Sequence, residues 1–388
     1  MSGHPGSLPV ERVRVTILRA PIDDSVPMSF GRLDARQTCI VEVAAGGLHG
    51  VGESWINYPA WAPAERMATL CRGVAPLLIG MDASRPADVL SDLGDALLPI
   101  GRQCGAPGPI WQALSGVDVA LWDIAAQATG LSVAALLAEE TPSRSHIPAY
   151  ASGVGPTDVR LLCERALAHG YTAVKTKVGF GPDRDDRTLS DARSVLGESR
   201  GLFADANQAW DLTEAMAMLP TLAAHHVGWL EEPLAGDRLD ELEKIAAHGE
   251  IPIATGENLY GTEELDRYAL SGAIRVLQPD IGKAGGLTVA SHVARTVSGA
   301  GTNVAPHCYS SAVGLAASVH LGAAHEAVSW LELDVRDNPL RTELLSTPLE
   351  WSAGSVQVPT GPGLGIALDP AAVQRFRTHH EEVTPHDC

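Results

Sequence analysis

Residues 10–20 (Val-Glu-Arg-Val-Arg-Val-Thr-Ile-Leu-Arg-Ala) alternate apolar and polar side chains, the period of a strand with one buried face. Residues 38–44 do the same, and together the two predict antiparallel sheet. Between 62 and 140 the apolar positions shift to helical spacing, with turn signals at Pro99, Gly101 and Gly108. Strands followed by helices predict an α+β domain over residues 1–140. From about residue 145 the pattern becomes short apolar runs, each followed by a longer helical stretch. The runs begin at Ile147, Ala173, Gly201, Val227, Ile251, Ile274, Thr302 and Val328. Such alternation predicts a parallel α/β barrel over residues 145–354. The Gly- and Pro-rich segment beyond it predicts a tail, about 355–388, that returns to complete the first domain.

How the runs end changes the picture from architecture to chemistry. Barrel interiors fill with Val, Ile and Leu, while reactive groups gather at the carboxyl ends of the strands. Here the runs close on Lys175-Thr-Lys177, Asp205-Ala-Asn207, Glu231-Glu232, Glu257, Gln278-Pro-Asp280, His307 and Glu332. Residues two apart in a strand share a face, so Lys175 with Lys177, Asp205 with Asn207 and Gln278 with Asp280 point into one space. One charged strand end is ordinarily a solvated loop charge. Several inward pairs on consecutive strands predict a shared site.

Asp205, Glu231 and Glu257 follow one another at one strand-helix interval, which places three carboxylates on neighbouring strands. Such a set resists ionisation unless a hard, oxygen-seeking cation sits among them, and Mg2+ is the natural occupant, with Mn2+ equally suited to the ligands. Glu232, next to Glu231, should face away and serve a structural role. Lys177 on the second run lies across from His307 on the seventh, so the two are expected to flank one substrate carbon. A lysine near a cation and a second lysine is expected to have a depressed pKa and to act as a base. Asp280 is placed to orient the imidazole. Lys175 reads as a substrate-carboxylate contact, and Lys283, in a Gly-rich turn, as structural.

Composition narrows the partners. With 388 residues and 45% hydrophobic content the chain can bury a full barrel beside a smaller domain. A formal charge of -19 argues against nucleic acid and anionic membrane surfaces and leaves a small-molecule carboxylate as the expected partner. The six scattered cysteines form no C-x-x-C pair, and neither a signal peptide nor a spanning apolar segment is evident, so a cytoplasmic location is expected.

The motifs Lys175-Thr-Lys177, Asp205-x-Asn207-Gln208, Glu231-Glu232-Pro233, Gly256-Glu257-Asn258, Pro279-Asp280 with Lys283-x-Gly285-Gly286, His307 and Trp330-Leu331-Glu332 resemble, in order, the mandelate racemase branch of the enolase superfamily. The likeness extends to the first domain through Gly50-x-Gly52-Glu53 and Gly116-x-Asp118-x-Ala120-Leu121-Trp122-Asp123. It implies a (β/α)7β-type TIM barrel with an N-terminal α+β capping domain, assembled as a homo-oligomer. It further implies that the metal and Lys175 bind a carboxylate while a base removes the α-proton to give an enediolate. Lys177 and His307 with Asp280 would act on opposite faces. Glu332, kept protonated by desolvation, would donate a hydrogen bond to the enediolate. Dehydration of a sugar acid to a 2-keto-3-deoxy acid is the favoured outcome, with racemisation or epimerisation of a 2-hydroxy acid as the alternative; a non-catalytic metal-binding barrel is the reading outside the family. Substrate choice is expected in the capping loops, where Arg32, Asn57 and Tyr58 would read hydroxyls beside the apolar Met28, Phe30, Trp55 and Trp61.

Overall fold

A computed structural model of the chain describes residues 6–28, 31–138, 142, 144–249 and 251–388. The first domain opens with an antiparallel sheet of β1 (Val10–Met28), β2 (Gly31–Ala45) and β3 (Leu48–Ser54). The alternation in 10–20 forms the central part of β1, but the strand runs on to Met28 through two prolines. Pro21 is the last residue paired before the ladder with β2 shifts register between Pro21 and Val26, and Pro27 pairs with Arg32 near the strand's end. Strand β3, which the sequence pattern does not reveal, contains Gly50 and Gly52. A Cβ on either would lie 2.0 Å from the carbonyl oxygens of Ala120 and Gly116, so the two glycines let a helix rest directly on the strand.

That helix belongs to the set α1 (Ala62–Ala68), a π-helical stretch at Thr69–Val74, α2 (Ala75–Leu78), α3 (Pro86–Gln103), α4 (Pro107–Thr129) and α5 (Val133–Ala138). Three expected turn signals fall inside helices. Pro99 and Gly101 lie in the last turns of α3, and Gly108 lies in the first turn of α4. Gly101 is there for close packing rather than turning: a Cβ would sit 2.7 Å from Ile110 Cδ1.

The barrel strands are β4 (His146–Val154), β5 (Ala173–Lys177), β6 (Gly201–Asp205), β7 (Leu230–Glu231), β8 (Ile253–Thr255), β9 (Ile274–Leu277), β10 (Asn303–Val304) and β11 (Leu331–Asp334). Neighbours pair in parallel from β4 through β10, β11 returns to β4, and a parallel bridge Val304↔Val328 joins β10 to the approach of β11. Helices α6 (Val159–Ala168), α7 (Pro182–Leu196), α8 (Leu212–Ala224), α9 (Leu239–His248), α10 (Gly261–Ala269), α11 (Gly286–Thr296) and α12 (Ala312–Ala324) alternate with them. The protein is an α/β barrel with an N-terminal capping domain.

Side-chain period then stacks two layers inside the barrel. Tyr150, Phe203 and Trp229 plug the lower layer, with Phe203 and Trp229 stacked at 3.4 Å between ring centroids and Tyr150 edge-on to both. Two residues further along the same strands, on the same face, come Asp205 and Glu231. Ala173 leads in the same way to Lys175 and Lys177, and Ala305 to His307. Beyond the barrel follow α13 (Pro339–Thr342), β12 (Trp351–Ser352), β13 (Ser355–Gln357), α14 (Pro370–Phe376) and β14 (Arg377–Val383). Strand β13 pairs with β4 of the barrel, whereas β14 pairs antiparallel with β1 and completes the capping sheet. Among the described residues no helix is long and apolar enough to cross a membrane.

Candidate active site

At the carboxyl ends of β5, β6 and β7 the charged layer is a lattice of ion pairs. Lys175 Nζ donates to Glu231 Oε1 at 2.5 Å and sits 3.0 Å from Glu332 Oε1, while Lys177 Nζ donates to Asp205 Oδ2 at 2.5 Å. Gln278 Nε2 donates to the other oxygen of Glu231 at 2.6 Å, and the Asn207 backbone N–H donates to Asp205 Oδ1 at 2.8 Å. Lys175, Asp205, Glu231 and Glu332 are all at most 1% exposed. The strand ends then turn through left-handed backbone at Asn207, Gln208 and Glu232, which is uncommon for non-glycine residues and concentrates where side chains must be aimed.

Two expectations about this floor are corrected. The Lys177 ammonium is not depressed: burial is the largest influence and pulls its pKa down, but Asp205, with Tyr309 and Glu257 beside it, together outweigh burial and Lys175 and push it up. In this arrangement Lys177 carries its proton, and it can accept another group's proton only after Asp205's charge is drawn elsewhere. Glu332 is not held protonated by desolvation. Burial does push it up, but Lys175, His307 and Lys177 together bring it down to about 2, so it is a carboxylate that accepts from Lys175 and from the Cys308 N–H at 3.2 Å.

Across the cavity, His307 Nδ1 meets Asp280 Oδ2 at 2.6 Å, and its Nε2 lies 3.1 Å from Glu257 Oε2. Asp280 is itself fixed by the Gly282 N–H at 2.7 Å. Burial opposes a charge on the ring, yet Glu257 and Asp280 raise its pKa to about 9. Near neutral pH it is therefore an imidazolium, equipped to give a proton. Glu232 accepts from Asn258 Nδ2 at 2.9 Å and from Gln208 Nε2 at 3.1 Å, and Lys283 Nζ donates to Asn258 Oδ1 at 2.7 Å.

Between these two sides lies a cavity of about 780 Å³. Lys177, Asn207, Glu257 and His307 reach it from the barrel, and Trp55, Asn57 and Tyr58 reach it from the capping domain. Lys175, Asp205, Glu231, Asp280 and Glu332 form the shell beneath. Arg32 does not line the cavity; its exposed guanidinium pairs with Asp34 at 3.0 Å, since residues two apart on a strand share a face. Trp61 is 71% exposed and lies elsewhere. Phe30 and the side chain of Met28 fall outside what is described. The strand-end pattern did not single out Tyr309, which stacks on His307 with 6.1 Å between ring centroids, or the lining position of Lys283, whose ammonium lies 4.7 Å from the centroid of Trp55.

Among the described residues, no three His, Cys, Asp or Glu side chains already enclose one point as a metal cage. Lys175 and Lys177 hold the inward oxygens of Glu231 and Asp205 instead. The donor chemistry nevertheless suits a hard divalent cation. Six carboxyl groups (Asp205, Glu231, Glu232, Glu257, Asp280 and Glu332) face the ammonium groups of Lys175, Lys177 and Lys283 and one imidazole, so acidic groups outnumber basic ones. The carboxyls of Glu231 and Glu232 feel it: burial first, then the neighbouring carboxylates, push both upward. All the nearby donors are oxygens or amides, the set preferred by magnesium and manganese.

Comparison with known proteins gives this geometry a context. Residues 12–138 match the N-terminal domain of the mandelate racemase / muconate lactonizing enzyme family, and residues 158–372 match the enolase C-terminal domain-like family. The chain is similar to the D-galactarolactone cycloisomerase of Agrobacterium fabrum, 31% identical over 95% of this chain and 98% of the relative. It is also similar to the L-talarate/galactarate dehydratase of Salmonella typhimurium, 30% identical over 94% and 90% respectively. Among solved structures, the L-talarate dehydratase of Polaromonas sp. JS666, complexed with Mg and L-glucarate, superimposes with a TM-score of 0.84 at 28% identity, covering 97% of this chain and all of that one.

Proposed function

Because the chain belongs to the mandelate racemase / muconate lactonizing enzyme branch of the enolase superfamily, whose members are enzymes that bind Mg2+, we propose that it dehydrates a sugar acid to a 2-keto-3-deoxy acid. The observation that carries the reading is the placement of Lys177 and the Asp280-oriented imidazolium of His307 on opposite sides of one cavity. The dehydratases among the relatives supply the substrate class.

Asp205, Glu231 and Glu257 would hold the Mg2+, which when bound supplies Lewis acidity toward the substrate carboxylate. Lys175, beneath the floor, neutralises the same carboxylate region and holds Glu231 and Glu332 in place. Lys177, freed from Asp205 and having first given its own proton to solvent, takes the α-proton onto the neutral amine Nζ, and the electron pair moves into the enediolate. His307 Nε2 gives its proton to the β-hydroxyl, which leaves as water, and the resulting enol tautomerises to the keto acid. Asp280 keeps the ring turned and stabilises its charge throughout. Asn207 and Tyr58 are positioned to accept or donate to substrate hydroxyls.

The cycloisomerase relative favours a second reading, in which the group expelled is a ring oxygen that stays tethered to the product. A third, racemisation or epimerisation, uses the same two groups to return a proton to the α-carbon. A panel of sugar acids, their lactones and 2-hydroxy acids, incubated with Mg2+ in deuterated water, separates them. Dehydration gives a 2-keto acid from the open acid, lactone-specific turnover supports the second reading, and loss of optical rotation without keto acid supports the third. Formation of neither a 2-keto acid nor an α-deuterated acid from any member of the panel would leave the proposal without support.

A further inference from the structure

The segment 53–57 at the end of β3 reaches across the domain boundary and touches both loops that carry the His307–Asp280 pair. Glu53, 3% exposed, accepts from the Ser311 N–H at 2.9 Å, from Ser311 Oγ at 2.5 Å and from the Gly314 N–H at 2.8 Å, which caps the start of α12 four residues after His307. Gly314 leaves the room: a Cβ there would lie 3.0 Å from Glu53 Oε2. Two residues on, the Trp55 N–H donates to the Gly282 carbonyl at 3.1 Å, and Gly282 is the residue whose own N–H fixes Asp280. Asn57 Nδ2 then donates to the Tyr309 carbonyl at 3.1 Å. The segment is held from behind by the fully buried Arg66, which donates to the Trp55 carbonyl at 2.8 Å and to Gln112 Oε1 at 2.5 Å.

We propose that Glu53 is a positioning residue: through its bonds to Ser311 and Gly314 this capping-domain carboxylate sets where His307 stands relative to Asp280 and the cavity. An accepting oxygen at a helix start counts for most where it is buried and multiply bonded, as here. The described hydrogen bonds of Glu53 run to Ser311 and Gly314, whereas Lys177 donates to Asp205 within the barrel, so Glu53 acts on the His307 side of the chemistry. The inference rests on His307 acting as the acid of the elimination.

The test compares wild type with Glu53→Ala, Glu53→Gln and Ser311→Ala as full-length chains with Mg2+, in two independent measurements. In hydrogen exchange, the segment 305–315 should exchange about tenfold faster in Glu53→Ala, with the strand 201–205 unchanged. With an acid that wild type turns over, keto-acid formation should fall about 100-fold at nearly constant KM, while α-deuterium incorporation through Lys177 persists. Glu53→Gln, which keeps one accepting oxygen, should recover part of both effects, and Ser311→Ala should show both at about a third of the size. Unchanged exchange in 305–315, or equal loss of exchange and elimination, overturns the proposal. If Glu53→Ala does not fold, the Gln and Ser311 variants decide by the same two criteria. If wild type turns over no acid, the dehydration reading fails on its own, and hydrogen exchange alone decides whether Glu53 positions the loop.

Discussion

The two sides of the cavity are built on different plans. On the β5–β6–β7 side, Lys175, Lys177, Asp205 and Glu231 are fixed by one another, within one sheet and beneath the solvent-exposed surface. On the β9–β10 side, His307 leans on Asp280, but the loops that carry the pair are tied to the capping domain through Gly282, Tyr309 and Ser311. Buried ion pairs give rigidity at a desolvation cost. Hydrogen bonds across a domain boundary instead make the acid side depend on how the cap is seated. On the proposed reading, proton removal then rests mainly on the barrel, and proton delivery on both domains.

The sharpest way to break this contrast is Lys177→Met, which should cost about 10^4-fold in both α-deuterium incorporation and keto-acid formation, since the general base serves both. A variant that still exchanges the α-proton at the wild-type rate would assign the base elsewhere. His307→Asn should divide the two readouts: elimination falls by about 10^3-fold, whereas exchange through Lys177 continues. Parallel loss of both signals would show that the two sides cannot act separately.

A smaller effect lies at the far end of α12. Buried His320 accepts from the Ala134 N–H at Nδ1 and donates from Nε2 to the Leu364 carbonyl, so the neutral ring joins α5, α12 and the tail. Burial lowers its pKa to about 4. The folded state therefore holds fewer protons than the unfolded one below the ordinary histidine value. The neutral ring's contribution is complete above about pH 6.5 and is lost as pH falls toward 4, at up to about 1.4 kcal/mol per pH unit. Thermal melts should show wild type losing more stability between pH 7 and pH 5 than His320→Gln; equal losses would remove His320 from the account. Least of all, Arg32→Ala should change KM by less than about twofold, because an exposed pair of this kind contributes little. A tenfold rise in KM would return Arg32 to the substrate.

How much of this was legible in the chain follows the range of the forces involved. The eight barrel runs were readable because strand and helix periods are local, and the charged ends were readable because a two-residue step keeps a face. Strand β3 was not, since Gly50 and Gly52 carry no hydrophobic signal and matter only for what α4 presses against them. Gly101 read as a break because its place within α3 depends on close packing against Ile110 and Pro107, which its own segment does not reveal. At the site, residue types predicted which groups would meet but not how they would share charge. The protonation expected of Lys177 and Glu332 failed on pairings across strands, Lys177 with Asp205 and Glu332 with Lys175. Glu53 was visible within a motif, yet its partner lies 258 residues away.

Strand β14 has a consequence for how the molecule is made. The capping sheet begins with β1 near the start of the chain, and the strand that covers its outer edge follows more than 360 residues later. At ordinary rates of translation, β1 leaves the ribosome roughly tens of seconds before its neighbour exists. Throughout that interval a row of backbone donors and acceptors on the outer edge of β1 stands open to any extended peptide nearby, an edge that only the last strand of the chain closes.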